Sequence, residues 1–525
     1  MRLVILLVLI LPLPSVAQHY ELLLKGGKIV DGTGNGWFYG DVGLAGGKIT
    51  AIGRLSEASA DTVIDVKGLI IAPGFIDVHT HIERNDLSVP TADNFIFDGV
   101  TSVVTGNCGS SHTDLARYFF RLDSVRTSIN VATLIGHNDV RRAVMGDAQR
   151  DPLDEEQKQM ELLVEEAMRS GAVGFSTGLI YVPGTYSKTP EVVGMAKAAA
   201  KYNGVYASHI RNEGDQVTQA IEEAINIGRQ AKIPVEISHF KVTYKPNWGR
   251  SVSTLQQVDK ARQEGIDVSV DQYPYVASST TLNTMLPTWV FSGGKDSLTA
   301  RLKDPSVRKK IKGEMVKGLK KKQVKNFSYA VVARYDADPA LNGKNISDIN
   351  RTKGRKGKPT FEAETILEMV ESGSAQMVYF SMSEDDLKRI MQYPFNMFAS
   401  DAGIATFGKD SPHPRGYGTN ARVLGHYVRE LKVIRLEEAI RRMTSLPAQK
   451  FQLRDRGLIR EGMAADLVVF DENIVADKST FSKPHAYSAG FEYVIVNGTI
   501  TMAHGSHTGV RNGQILKGPG AAPAY

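Results

Sequence analysis

Gly74-Phe75-Ile76-Asp77-Val78-His79-Thr80-His81 follows an apolar run, Leu69-Ile70-Ile71-Ala72, and the reading of this stretch decides the fold. The run and the start of the octet read as one buried strand, Ile70–Val78. Side chains alternate faces along a strand, so His79 and His81 leave its end on the same side. Two neutral imidazoles side by side at a strand terminus can share one divalent metal. A lone His-x-His also occurs as two turn histidines, so the metal reading depends on ligands arriving from other strand ends.

Outward from the octet, the centre of the chain alternates strand and helix. Apolar strand candidates lie at Ile70–Val78, Thr101–Thr105, Asn130–Ile135, Ala172–Ser176, Val205–Ser208, Val235–Ser238, Ile266–Val270 and Met397–Ser400. Helical periodicity separates several of them, as in Asp154–Arg169 and Val217–Gln230. Eight strands interleaved with helices predict an α/β fold of the (β/α)8 barrel type over residues 68–453. Chemistry in that fold sits at the C-terminal ends of the strands. Strand one ends in His79 and His81, strand two in Gly106-Asn107-Cys108-Gly109, strand five in His209, strand six in His239 and strand eight in Asp401. Any one of these is ordinarily a hydrogen-bonded structural residue. Six metal-competent side chains at five strand ends predict a metal site.

On either side of the centre the texture changes. Tyr20 to Asp65 is short β-type runs separated by glycine pairs such as Gly26-Gly27 and Gly46-Gly47, which are hairpin signals. Ala465–Phe470 and Tyr493–Thr499 have the same style. Residues 18–67 and 454–525 are therefore expected to build one small β-sandwich domain from both chain ends.

The 525 residues are too many for one compact domain, which agrees with that division. A net charge of +6 is small for this length and does not point to nucleic acid. Eleven of the basic residues fall between Arg301 and Lys325, a pattern that reads as a solvated helical face. Residues 1–17 read as a signal peptide: Arg2, the apolar run Leu3–Leu11, then Ser15-Val16-Ala17. The run is too short to span a bilayer comfortably, so no stable membrane anchor is expected. The mature chain is expected to begin at Gln18, exported to the periplasm or secreted. The single cysteine, Cys108, cannot form an internal disulfide, and a free thiol in an oxidising compartment is a liability unless buried or bound to a metal.

These residues bring the chain to a known pattern. His-x-His followed by His, His and Asp at strand ends, with a split β domain, resembles the amidohydrolase superfamily. Within it the chain resembles the N-acyl-D-amino-acid deacylases (D-aminoacylases) from about Tyr20 to Gly520. The specific stretches are Gly106-Asn107-Cys108-Gly109, Ser176–Gly184, Ser208-His209-Ile210-Arg211-Asn212-Glu213, His413-Pro414-Arg415 through Gly425, and the tail His507–Gly520. Many members of the superfamily carry a bridging lysine on strand four. Gly171 to Gly178 contains none, and the cysteine that this branch uses instead stands at Cys108.

The resemblance implies zinc-dependent hydrolysis of N-acyl-D-amino acids to a carboxylate and a free D-amino acid, with a small molecule as the partner. It implies a tight zinc site at Cys108, His209 and His239, and a second, weaker site at His79, His81 and Asp401. Asp401 is the expected general base, the alternative being a ligand only. Lys241, Tyr273 and Ser278 are the implied clamp for the substrate carboxylate. The long connection between strands seven and eight, about 125 residues, resembles the family's lid over residues 280–355. Leu282-Asn283-Thr284-Met285-Leu286-Pro287 is apolar and favours neutral or hydrophobic side chains. Other readings on the same scaffold are a different amidase, a metallo-dipeptidase, or a non-catalytic binding relative.

Overall fold

In the computed structural model, which describes residues 19–56 and 58–521, eight parallel strands form one continuous sheet in sequence order. We number them β1 (Phe75–Asp77), β2 (Val100–Thr105), β3 (Asn130–Gly136), β4 (Gly174–Gly178), β5 (Val205–His209), β6 (Val235–Ile237), β7 (Val268–Gln272) and β8 (Asn396–Phe398). The sheet curls until β8 meets β1. Past the strand ends the Asp401 amide donates to the His79 carbonyl at 2.9 Å and the His81 amide to the Ala402 carbonyl at 2.9 Å, which closes the barrel where the histidines emerge. The expected signal segment lies outside the described residues.

The barrel interior is apolar and small-residue rich: Ile76, Val78, Val104, Ala132, Val173, Val205, Ala207 and Met397 pack inward. Leu446, Phe451 and Leu516 plug the end away from the histidines. Every strand is buried on both faces, which is why the strands read as apolar runs rather than as alternations.

The opening strand differs from expectation. Ile70–Val78 is two strands in two sheets. Ile70–Pro73 pairs with His19–Ile29 and, antiparallel, with Leu467–Phe470 in the terminal sheet, while Phe75–Asp77 pairs with β2. Gly74 is the joint: a Cβ there would meet Thr101 Oγ1 at 2.2 Å, so only glycine lets the chain pass between the sheets. The terminal sheet has nine strands drawn from both chain ends. The tail beyond it runs under the barrel, with the Leu516 amide donating to the Val131 carbonyl and Gly518 to Gly171.

The excursion between β7 and β8 is larger than the expected 280–355. It begins at strand Ala277–Thr281, includes helix Pro305–Lys321, and returns through helix Pro359–Ser372 and strand Gln376–Phe380. Gln376–Phe380 is the centre of a three-stranded antiparallel sheet, so the unit cannot end before it. The insertion has its own core, built on Leu286, Val290, Ile311, Met315, Leu319, Val332, Ile366 and Met377.

Candidate metal centre

The six side chains read from the strand ends meet at the barrel mouth. Cys108 Sγ lies 3.4 Å from His209 Nδ1, 3.7 Å from His239 Nε2 and 3.3 Å from His79 Nε2. His239 Nε2 and His209 Nδ1 are 2.8 Å apart. Asp401 Oδ1 stands 3.3 Å from His81 Nε2 and 3.7 Å from His79 Nε2. All are buried except His81, whose side chain is 35% exposed.

Local backbone explains how each arrives. Gly106 and Gly109 adopt positive φ on either side of Asn107-Cys108, turning the chain across the barrel top. Asn107 donates to the Val78 and Val104 carbonyls, pinning the turn to β1 and β2. The turn is so close to β4 that a Cβ on Gly178 would meet the Cys108 carbonyl oxygen at 2.0 Å. Cys108, His239 and Asp401 themselves have φ of 54°, 36° and 50°. Left-handed conformations of non-glycine residues cost roughly 1–3 kcal/mol each and persist where surrounding structure over-determines them.

A second layer of side chains backs the imidazoles. His79 Nδ1 donates to Asp271 Oδ2 at 3.1 Å, whereas His239 Nδ1 lies 2.9 Å from the Lys241 ammonium and 3.1 Å from Glu213 Oε1, the latter a charge contact without hydrogen-bond alignment. The His79 ring therefore turns its Nε2 lone pair toward Cys108. Asp271 also accepts from the His239 amide at 2.8 Å, and Glu213 accepts from Lys241 Nζ at 2.5 Å. On the far side Arg415 Nη1 lies 2.8 Å from Asp401 Oδ2, a charge contact without hydrogen-bond alignment.

Burial alone would raise the Cys108 thiol, but the His79 and His209 imidazoles outweigh it and hold the thiol well below its ordinary range. Asp401 follows the same balance: burial raises it, while Arg415 and then His79 bring it well below the usual carboxylate value. Glu213, half-buried beside Lys241 and His209, is likewise lowered.

The donor set fits zinc. Bonds of about 2.3 Å to sulfur and 2.0–2.1 Å to nitrogen in a tetrahedron put donors about 3.3–3.6 Å apart. Cys108 Sγ stands 3.4 and 3.7 Å from the His209 and His239 nitrogens, close to that spacing, and those two nitrogens, 2.8 Å apart, would separate by about 0.5 Å to hold the ion. His79, His239 and Asp401, and His79, His81 and Cys108, form two further donor groups within reach of one ion.

Two cavities flank this cluster. One, about 580 Å³, is lined by Cys108, His81, Asp401 and Arg415. The other, about 610 Å³, lies between the barrel and the insertion and is lined by Glu213, Ser278, Met285, Leu286, Phe291 and Tyr379 among others. Tyr181 and Thr280 belong to both, and a 2.8 Å hydrogen bond between their hydroxyls forms the wall.

Of the residues expected to hold the substrate carboxylate, Ser278 lines the larger cavity. Lys241 and Tyr273 are buried behind it, with Lys241 Nζ 5.6 Å from the Tyr273 ring centre. Glu213, Asp271 and Arg415 were not singled out from the sequence as site residues. The one signal was that Glu213 and Arg415 fall inside stretches that carry the family resemblance.

The sequence profile described as Amidohydrolase family matches residues 62–502. The D-aminoacylase of Alcaligenes xylosoxydans xylosoxydans is 37% identical over 525 aligned residues, covering 96% of this chain and 98% of its own. The crystal structure of N-acyl-D-glutamate deacylase from Bordetella bronchiseptica, complexed with zinc and a phosphonate mimic of the tetrahedral intermediate, superposes with a TM-score of 0.82. It shares 36% identity and covers 95% of this chain and all of the other. A D-aminoacylase structure concerned with a binuclear centre, in which one metal activates and a second attenuates, also gives 0.82 at 35% identity, with 95% of this chain and 100% of that one covered.

Proposed function

The chain belongs to the amidohydrolase family, in its D-aminoacylase branch, and on that premise we propose that it hydrolyses N-acyl-D-amino acids to a carboxylate and a free D-amino acid. The observation that carries this reading is the convergence of Cys108, His209 and His239 beside an ionised Asp401 at the barrel mouth. Those three residues would hold the tight zinc, with His79, His81 and Asp401 as a second, weaker site. When bound, zinc supplies Lewis acidity that polarises a carbonyl and makes a water more acidic.

Asp401 takes the proton of the attacking water on a carboxylate oxygen and returns it to the departing amine nitrogen. Arg415 keeps that carboxylate ionised and aimed. Asp271 fixes the His79 tautomer, so that ring cannot turn its proton toward the thiolate, and Glu213 holds the Lys241 ammonium beside His239. The substrate carboxylate is assigned to Ser278, with Lys241 and Tyr273 behind it. Ile180, Met285, Leu286 and Phe291 line the larger cavity, and its one arginine, Arg211, is committed to Glu223 at 2.9 Å, which supports neutral or hydrophobic D-residues.

Hydrolysis of a panel of N-acetyl-D- and L-amino acids by the zinc-loaded enzyme tests the reading. N-acetyl-D-Met, D-Leu or D-Phe should be cleaved at least about tenfold faster than the L forms, roughly 1.4 kcal/mol in the barrier. Equal rates on both hands would sink the D-specific reading.

We also propose export, motivated by the Arg2, Leu3–Leu11, Ser15-Val16-Ala17 pattern. Among the described residues no helix is long and apolar enough to cross a membrane. The intact mass of the protein recovered outside the cytoplasm should correspond to a chain starting at or near Gln18. A cytoplasmic protein retaining Met1 would overturn this.

A further inference from the structure

The segment from Arg301 to Lys325 carries eleven basic and two acidic residues, a net +9. The whole chain is +6, so everything outside this segment sums to −3. A molecule whose remainder is slightly acidic has gathered its positive charge in one place, and the fold decides where that place is.

Helix Pro305–Lys321 turns Ile311, Met315 and Leu319 into the core of the insertion. Their spacing fixes the rest of the helix outward, where Lys309, Lys310, Lys317, Lys320 and Lys321 are exposed, as is Lys325 just beyond. Arg308 and Lys312 pair with Glu364. Among the described residues no carboxylate lies within 4.0 Å of Lys303, Lys309, Lys310, Lys317, Lys320, Lys321, Lys322 or Lys325. An isolated solvated face would need no more comment, but this one ends at an opening. Gly318, Lys321 and Lys322 line the same 610 Å³ cavity as Ser278 and Glu213. Lys322 Nζ sits 4.5 Å from the Tyr244 ring centre, inside a wall completed by Tyr329 and Tyr379. Opposing charge on that lining is small: Glu213 is neutralised by Lys241 and Arg211 by Glu223, leaving Asp215.

We propose that this lysine face is an electrostatic funnel that draws anionic substrate into the larger cavity. The inference rests on the function proposed above, because every N-acyl amino acid carries a carboxylate. Low-dielectric walls focus the field of charges at a cleft mouth and raise local counter-ion concentration and capture rate, typically by 10-fold or more, an effect that salt screens over about 10 Å. Capture is affected and the chemical step is not, so the effect belongs in kcat/KM and leaves kcat alone.

The test is a salt series on the zinc-loaded, full-length enzyme with its best N-acetyl-D-amino acid. Between about 20 and about 500 mM sodium chloride, kcat/KM should fall roughly fivefold or more at constant kcat. The combined variant Lys317→Glu, Lys320→Glu, Lys325→Glu takes the segment from +9 to +3 without touching a cavity-lining residue. At low salt its kcat/KM should be about fivefold below the parent, converging with it at high salt. The milder Lys317→Gln, Lys320→Gln, Lys325→Gln set should fall between the two. Equal kcat/KM for parent and variant at low salt, or a deficit that persists unchanged at high salt, overturns the funnel while leaving the deacylase reading intact. Failure to cleave any N-acyl-D-amino acid overturns both.

Discussion

Replacing Cys108 by alanine should abolish the tight zinc and, with it, turnover: zinc content near zero at that site and kcat/KM down by about 10⁴-fold or more, some 5.5 kcal/mol of transition-state stabilisation. Cys108 is the one thiolate at the mouth, and removing it leaves His209 and His239 as a two-nitrogen remnant. The fold should survive, because alanine tolerates φ of 54° no worse than cysteine does and the turn is held by Asn107 and the flanking glycines. Metal analysis with circular dichroism separates ligand loss from unfolding. The native thiol should also resist alkylation until a chelator is added. A folded variant with full zinc and near-normal rates would show Cys108 to be a packed core residue.

Asp401→Asn is expected to act differently: kcat lower by about 10²-fold or more, the usual scale for a positioned acid–base, with the tight zinc retained. The amide matches the carboxylate in shape but cannot accept the proton, and it strands the buried Arg415 guanidinium beside a neutral group. Some loss of stability should therefore accompany the loss of rate, since uncompensated buried charge is expensive. Retained zinc with kcat within threefold of the parent would reduce Asp401 to a ligand. Loss of the tight zinc together with activity would point the same way.

The barrel and the meeting of six side chains from its strand ends were legible because each depends on short-range patterns. Strands buried on both faces are written as apolar runs, and residues at their ends inherit a fixed direction. What the sequence hid depends on distance in space. Ile70–Pro73 and Phe75–Asp77 read as one strand because burial in a sandwich and burial in a barrel call for the same residues, and only the Cβ clearance at Gly74 distinguishes them. The insertion was cut short at 355 because Pro359–Ser372 and Gln376–Phe380 look like one more helix–strand step of the barrel. Glu213, Asp271 and Arg415 were invisible as site residues because a carboxylate or guanidinium near an imidazole in space leaves no spacing in the chain. Lys241 was legible as a cation near the site, but not its contact with Glu213.

The insertion's separate hydrophobic core has a consequence for how such an enzyme changes over generations. Met285, Leu286, Phe291 and Tyr379 shape the cavity from a body that folds around its own apolar centre, while the donors hang from the barrel. A substitution in the insertion's share of the cavity wall therefore draws on the stability of one module, and the geometry of the reacting groups is inherited from the other. Diet and chemistry are separately heritable in such a chain, and a lineage can revise the first without risking the second.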